Sequence, residues 1–220
     1  TLTHSPTSDP NRGVHLIVFG SLEVTSSGKI HADKKGTRFR SSPNRGTVSA
    51  WTSHGGNGII NNWANPTYGD FMKPVDVGTR AHSVENVNGG RINDFSGGVV
   101  DIEAGSLKLA GVISSDGVFS SSGGSVRIVI RNGSITGDGV ISARVVPTTV
   151  DKQYAGGGRI AITGYSTLDQ AIFDKINLDG QKKFSSAPGS LFYKAHGDAF
   201  GSILVRSTFV SSISTPLELS

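Results

Sequence analysis

Two carboxylates lie two residues apart in a segment of alternating hydrophobicity. Asp101 and Glu103 are separated by Ile102, so an extended strand places both carboxylates on the same face. Paired carboxylates can serve as acid and base in polysaccharide cleavage. The pair can instead form the solvated side of a half-buried strand, with Arg127 of the next repeat placed to neutralise Asp101. We favour the ion pair, and the sequence predicts no catalytic residue.

A second group of side chains with binding chemistry lies in a polar, Asn- and Gly-rich segment at about residues 37–96. Aromatic rings beside polar side chains suit stacking against sugars, so this segment holds a candidate carbohydrate contact. The alternative is that the same rings anchor the segment to the rest of the fold. No two His residues have metal-ligand spacing, and we predict no metal and no cofactor. The candidate carbohydrate contacts are Trp51, His54, Trp63 and Tyr68.

A third candidate is a run of basic residues with only Asp33 opposing it. Such a run can bind an acidic polymer or an acidic patch on a neighbouring subunit, and it can equally be a solvated loop. No nucleic-acid-binding motif accompanies it, and the formal charge of the chain is only +4, so we expect no nucleic-acid partner. The candidate polyanion or subunit contacts are Lys34, Lys35, Arg38, Arg40 and Arg45.

Three Asp-Gly pairs, at Asp116, Asp138 and Asp179, have the composition of turns. Calcium-binding solenoids carry dense Gly-rich nonapeptides, which are absent here. The sequence therefore predicts turns, and leaves open a single calcium ion on a loop.

The composition excludes several classes of protein. The chain has 220 residues, of which 30 are Gly and none is Cys. Gly costs about 1 kcal/mol in a helix interior, which disfavours a helical bundle. Without Cys there is no zinc knuckle, thiol nucleophile or disulfide framework. No run of about 18 apolar residues occurs, so we expect no membrane span.

The elements that position these side chains are indicated by a degenerate repeat. Segments of alternating hydrophobicity open at Gly97, Gly123, Gly156 and Gly189, which are 26, 33 and 33 residues apart. Each has the period of a half-buried strand. A Gly-Ser pair recurs at Gly20, Gly105, Gly133 and Gly201, and after Gly105 and Gly133 the alternation resumes one residue out of phase.

This repeat predicts stacked coils. Equivalent strands would lie about 4.8 Å apart, with Val100 on Val126 and Ile113 on Ile141. We predict an all-β, right-handed parallel β-helix (solenoid) of one domain, 1–210, with a long irregular loop insertion at about 37–96. Residues 211–220 would be a linker or the start of a further coil. A β-sandwich is the competing architecture.

The order of these motifs also resembles a known family. The loop strings Ser53-His54-Gly55-Gly56-Asn57-Gly58 and Lys73-Pro74-Val75-Asp76-Val77-Gly78 precede the openings Gly97-Gly98-Val99, Gly123-Gly124-Ser125-Val126 and Gly156-Gly157-Gly158-Arg159. In this order they are similar to the Gly-rich parallel β-helix repeat proteins, which are large secreted or cell-surface proteins, mostly bacterial. One departure is Gly78-Thr79-Arg80-Ala81-His82, where relatives carry a glycine run.

The resemblance and the open ends of such a stack together suggest a function. We expect a structural module of an extracellular filament, sheath, stalk or adhesin, acting through rigidity and self-association rather than as an enzyme. Its partners would be copies of itself or flanking domains of a longer chain, at an extracellular or cell-surface location. The alternative is a polysaccharide-binding or polysaccharide-cleaving module, with the insertion forming a cleft.

Overall fold

The computed structural model is all-β, which confirms the predicted class. It describes residues 1–7, 9, 12–36, 38–39, 51–52, 54–56, 59–60, 63–64, 67–80, 95–118, 121–146, 154–180 and 186–205. The predicted linker 211–220 lies outside the described residues. Within the described part, no helix is long and apolar enough to cross a membrane.

The strands and the helix have the following bounds, in chain order. They are β1 (Val14–Val24), β2 (Lys29–His31), β3 (Arg38–Phe39), β4 (Trp51–Thr52), β5 (Ile59–Ile60), β6 (Trp63–Ala64), β7 (Thr79–Arg80), β8 (Val99–Leu109), β9 (Val112–Ser114), β10 (Gly117–Val118), β11 (Ser125–Ile130), β12 (Ser134–Gly137), β13 (Val140–Ser142), β14 (Val145–Val146), β15 (Tyr154–Ala155), β16 (Arg159–Tyr165), β17 (Thr167–Leu168), α1 (Gln170–Asp174), β18 (Ile176–Asn177), β19 (Ser190–Ala195) and β20 (Ser202–Val205).

The largest sheet consists of two ladders that share the long strands β1 and β8. In the first ladder, the first halves of β1 and β8 are followed by β11, β16 and β19, all parallel, and then by the antiparallel strand β20. In the second ladder, the second halves of β1 and β8 are followed by β12 and β17, again parallel. The sheet curls into half of a barrel.

A third ladder is the sheet of β2, β9, β13 and β18, in which all pairs are parallel. Leu2 extends it by a parallel bridge to Ile30. Successive passes of the chain therefore place their strands in the same order on all three ladders. The finer prediction, a right-handed parallel β-helix, stays a prediction at this point.

The predicted register is confirmed on two ladders. Val126 pairs with Val100, and Ile141 pairs with Ile113. These residues have no exposed surface, because alternate side chains of each strand point to the same side of the sheet and fill the core. The stacking of equivalent apolar residues is what buries them, since one short strand cannot bury its own apolar side.

The phase shift predicted at the Gly-Ser pairs is also observed. In β8 the buried positions run to Ala104 and resume at Leu107, so the alternation slips by one residue at Gly105 and Ser106. One layer on, Asn132 has a positive φ of 61°, and a Cβ added to Gly133 would overlap the carbonyl oxygen of Gly105. The corner therefore brings two backbones into direct contact, which a larger residue would prevent.

Described parts of the predicted insertion lie against the outer side of the first ladder. The backbone N–H groups of Gly55 and Gly56 both donate to the carbonyl of Gly157, each at 3.0 Å. The ring of Phe71 lies 5.8 Å from that of Phe192 in an edge-to-face arrangement, and both are buried. The described parts of the insertion are thus packed on the ladders, although the single-domain prediction itself stays a prediction.

Candidate functional site

The paired carboxylates of β8 lie in a network of ion pairs on the outer side of the first ladder. Arg127 Nη1 lies 2.7 Å from Asp101 Oδ1 and 3.4 Å from Glu103 Oε1. Arg131 Nη2 lies 3.1 Å from Glu103 Oε2, and His15 Nδ1 lies 3.6 Å from Asp101 Oδ2. The predicted pair of Asp101 and Arg127 is therefore confirmed.

The same network bears on acid and base chemistry. The hydrogen bond from Arg131 lowers the pKa of Glu103, with a further contribution from Arg127. A carboxyl group that serves as general acid near neutral pH needs a raised pKa. Glu103 is shifted in the opposite direction, which matches the prediction of an ion pair rather than a catalytic pair.

His54 and Tyr68 lie together within the packed part of the insertion. His54 has no exposed surface, its ring centroid is 4.9 Å from that of Tyr68, and its Nδ1 lies 3.1 Å from the carbonyl oxygen of Gly123. The Tyr68 hydroxyl donates to Val77 O at 2.7 Å and accepts from Thr79 Oγ1 at 2.9 Å. These contacts match the anchoring alternative. The side chains of Trp51 and Trp63 lie outside the described part, so a carbohydrate contact there stays a prediction.

A buried arginine completes this anchor, and sequence reasoning missed it. Arg159 is 3% exposed; its Nε donates to Tyr68 O at 2.9 Å and its Nη1 to Ser190 Oγ at 3.0 Å. It pairs in register with Ser125 on one side and Ser190 on the other. The sequence does mark this position: Arg159 begins a strand at the place where the neighbouring strands begin with Ser125 and Ser190.

The basic run is only partly described. Lys34 is exposed and has a positive φ of 59°, and Lys35 is half-buried. Arg38 contributes its backbone to the pair of β3 with β7, while Arg40 and Arg45 lie outside the described residues. The polyanion or subunit contact stays a prediction for all five.

Asp116 lies between β9 and β10, and its side chain is buried. Its Oδ1 accepts hydrogen bonds from the Ser142 hydroxyl at 2.5 Å and from the Arg144 N–H at 3.0 Å. Asp33, one layer before, accepts in the same way from the Ser114 hydroxyl at 2.9 Å and the Asp116 N–H at 2.8 Å. The Asp-Gly sequence does not indicate this burial, which arises because the fold places Asp116 against the next layer.

The buried carboxyl group has an unusual proton affinity. Burial, and then the negative charge of Asp33, raise the pKa of Asp116 to about 6, against hydrogen bonds from Ser142 and Arg144 that favour the ionised form. Asp33 itself is paired with Lys29, whose Nζ lies 2.6 Å from Oδ2. Asp116 is therefore a buried structural carboxyl group beside the third ladder, and its pKa is about 6.

The core is fully buried in its middle layers and only partly buried at its two ends. The column Leu16, Ile102, Ile128, Ile162, Tyr193 runs in register through the first ladder. Its three central members have no exposed surface, whereas Leu16 and Tyr193 are half-buried. The second ladder has the same distribution of burial. Its column runs in register through Leu22, Leu107, Ile135 and Leu168. The outer two residues are half-buried and the inner two are buried.

Exposed apolar side chains follow the same distribution. Six large apolar residues of the described part are exposed, and one of them, Met72, lies in the insertion. The others are on the first passes of the chain (Leu2, Ile17 and Phe19) or on the last (Phe200 and Val205). The two ends of the core therefore form the candidate functional surfaces of this chain.

Neither a group of metal-ligating side chains in the described part nor similarity to known proteins indicates a further site. Among the described residues, no group of three or more His, Asp or Glu side chains is placed to hold a metal ion. The chain matches no family model, no curated protein and no solved structure. The function is therefore argued from the geometry of the ladders and their ends.

Proposed function

We propose that this chain is a rigid structural module that associates with further copies of itself, or with flanking domains, through the two ends of its ladders. The three parallel ladders would be the sides of a right-handed parallel β-helix. One observation supports the proposal above all: every half-buried apolar residue that packs against the main core belongs to the first strand or to the last two passes of the chain. These residues are Leu16, Val18, Leu22, Leu168, Phe173, Tyr193, Ala195 and Leu204.

The physical reason is that a stack buries apolar surface only where another layer covers it. Each half-buried residue at an end would gain burial from one more layer, at about 25 cal/mol per Å² of apolar area removed from water. The edge of β1 that faces away from β8 also has no strand on it within the described part, over 11 residues. Unpaired strand edges of this length are templates for pairing with another chain.

The location and the kind of assembly follow from the resemblance of the Gly-rich repeat. A filament, sheath, stalk or adhesin at the cell surface uses a stiff element of this type, and its work would be mechanical. No catalytic step is part of the proposal.

The experiment is the mass of the chain by light scattering over a wide range of concentrations, together with electron microscopy. We expect assemblies whose mass grows with concentration, and rods or filaments with a regular subunit repeat. Ile17→Lys places a charge at the exposed first strand and should reduce assembly at least tenfold. Met72→Lys is the matched control, because it replaces an exposed apolar residue of the insertion rather than of the first strand.

A folded monomer at every concentration would overturn the proposal. So would an equal loss of assembly in Ile17→Lys and Met72→Lys, because the effect would then not be specific to the exposed first strand.

A further inference from the structure

The two ladders of the largest sheet end at different layers. Strands β16 and β17 belong to the same pass of the chain, and β17 is the last described strand of the second ladder. The first ladder continues beyond that pass by two strands, β19 and β20. Since neighbouring strands lie about 4.8 Å apart, this difference creates a step roughly 10 Å high beside the core.

A pocket of about 350 Å³ lies at this step. Its apolar wall is formed by Leu168 and Phe173, with the rings of Tyr165 and Tyr193. The Phe173 ring meets the Tyr193 ring edge-to-face at 5.4 Å and 77°, which fixes the orientation of both. Helix α1 holds Phe173 over the step, because its Ile172 is fully buried in the core.

The polar lining of the pocket carries hydroxyl groups that the fold does not use. The side-chain hydroxyls of Tyr165, Tyr193 and Thr167 make no hydrogen bond to any other residue in the described part of the chain. Tyr165 is 8% exposed, but its hydroxyl oxygen is not one of the buried polar atoms that lack a partner, so it remains accessible to a ligand.

Other polar groups at the rim are oriented and still able to accept. Gln170 Nε2 donates to Asp174 Oδ1 at 2.8 Å, which leaves the amide oxygen as an acceptor. The Ser166 hydroxyl donates to Gly133 O at 3.0 Å and keeps its acceptor capacity. Burial, and then the neighbouring Tyr193 and Asp198, raise the pKa of Tyr165, so its hydroxyl remains a donor.

We propose that this pocket binds a neutral sugar ring. An apolar wall of oriented aromatic rings fits the C–H face of a pyranose, and the hydroxyl and amide groups fit its hydroxyls. No Asp, Glu, Lys or Arg lines the pocket, so a charged sugar has no ionic partner there. The pocket shares Leu168, Phe173 and Tyr193 with the end of the ladders, so a sugar and a further copy of the chain would compete for this surface. It is distinct from the aromatic cluster of the insertion.

The test is titration of the full 220-residue chain with the methyl glycosides of glucose, galactose, mannose and N-acetylglucosamine, followed by saturation-transfer NMR and calorimetry. The methyl glycoside of glucuronic acid is the charged comparison. We expect at least one neutral glycoside to bind with Kd of roughly 1–10 mM, and the charged one more weakly. Tyr193→Phe removes a single oxygen and should weaken binding about three- to tenfold.

Phe173→Leu keeps the apolar volume but removes the ring face, and should weaken binding more than Tyr193→Phe does. Phe200→Leu is the matched control, since Phe200 is an 88% exposed ring at the same end, outside the pocket. Absence of binding by all four neutral glycosides would overturn the proposal, and so would unchanged binding in both pocket variants. The titrations use concentrations at which light scattering shows a monomer, so that contacts between copies do not cover the pocket.

Discussion

The backbone N–H of Asp116 donates a hydrogen bond of 2.8 Å to the carboxylate of Asp33, a residue 83 positions earlier in the chain. The contact joins two successive layers of the third ladder. It also sets two negative side chains close together in a site where one of them, Asp116, is buried.

The first prediction concerns the pH dependence of stability. Because the pKa of Asp116 is raised from 3.8 to about 6, the folded chain holds a proton there that the unfolded chain releases. Ionising Asp116 therefore costs stability that is intact below about pH 4 and lost as the pH rises to about 6. The rise in the pKa of Asp116 from 3.8 to about 6 corresponds to roughly 3 kcal/mol.

Asp116→Asn removes this titration, so the variant should gain stability relative to wild type between pH 4 and pH 7. Urea unfolding at four pH values measures the difference. Asp138→Asn is the control, since that side chain is 70% exposed. A difference between Asp116→Asn and wild type that stays constant from pH 4 to pH 7 would refute the assignment.

The second prediction concerns the buried arginine that ties the insertion to the ladders. Arg159→Ala leaves the carbonyl of Tyr68 and the hydroxyl of Ser190 without their donor, and should reduce the free energy of unfolding by about 2–4 kcal/mol. Arg131→Ala breaks an exposed ion pair and should cost less than about 1 kcal/mol. Chemical denaturation measures both, and equal costs for the two variants would show that Arg159 is not an anchor.

The third prediction concerns the close approach of backbones at the strand openings. A Cβ added to Gly189 would overlap the carbonyl oxygen of Gly158, whereas a Cβ added to Gly20 meets nothing within 4 Å. Gly189→Ala should therefore destabilise the chain by about 1–3 kcal/mol, and Gly20→Ala by less than about 0.5 kcal/mol. The two variants are matched, because both glycines precede a serine. Thermal unfolding measures the difference in their stability. Similar melting temperatures for the two variants would contradict the predicted overlap.

The fourth prediction concerns the small apolar cluster beneath the insertion. Phe71→Ala removes the ring that packs on Phe192, and should cost about 2–4 kcal/mol of local or global stability. Hydrogen exchange at the amides of Gly55 and Gly56 reports whether the insertion opens first. Phe200→Ala changes an exposed ring and should leave the exchange rates of these amides unchanged. Faster exchange in Phe200→Ala, or unchanged exchange in Phe71→Ala, would show that the cluster does not hold the insertion in place.

The ladders could be predicted from the sequence because they follow local rules. Val100 and Val126 occupy the same place in two repeats, and alternation together with the Gly-Ser phase shift sets which residues face the core. The ion pair of Asp101 and Arg127 follows from the same register.

The environment of Asp116 could not be predicted in this way. Asp-Gly is a turn sequence by composition, and its burial depends on Asp33 arriving from 83 residues away. The burial of His54 and Arg159 likewise depends on where the insertion folds back onto the ladders, which no periodicity encodes. Composition identified aromatic rings in that segment, but not which of them would be covered.

The parallel ladders also determine how the chain resists force. Hydrogen bonds between neighbouring strands point from layer to layer, so a load along the stack acts on those bonds alone, pass by pass. A load across the stack acts on several covalent backbones at once, because each pass from β1 to β18 crosses the three ladders. We expect the chain to be stiff against shear and to unravel sequentially under axial tension, with a sawtooth of short extensions in single-molecule pulling rather than one cooperative rupture.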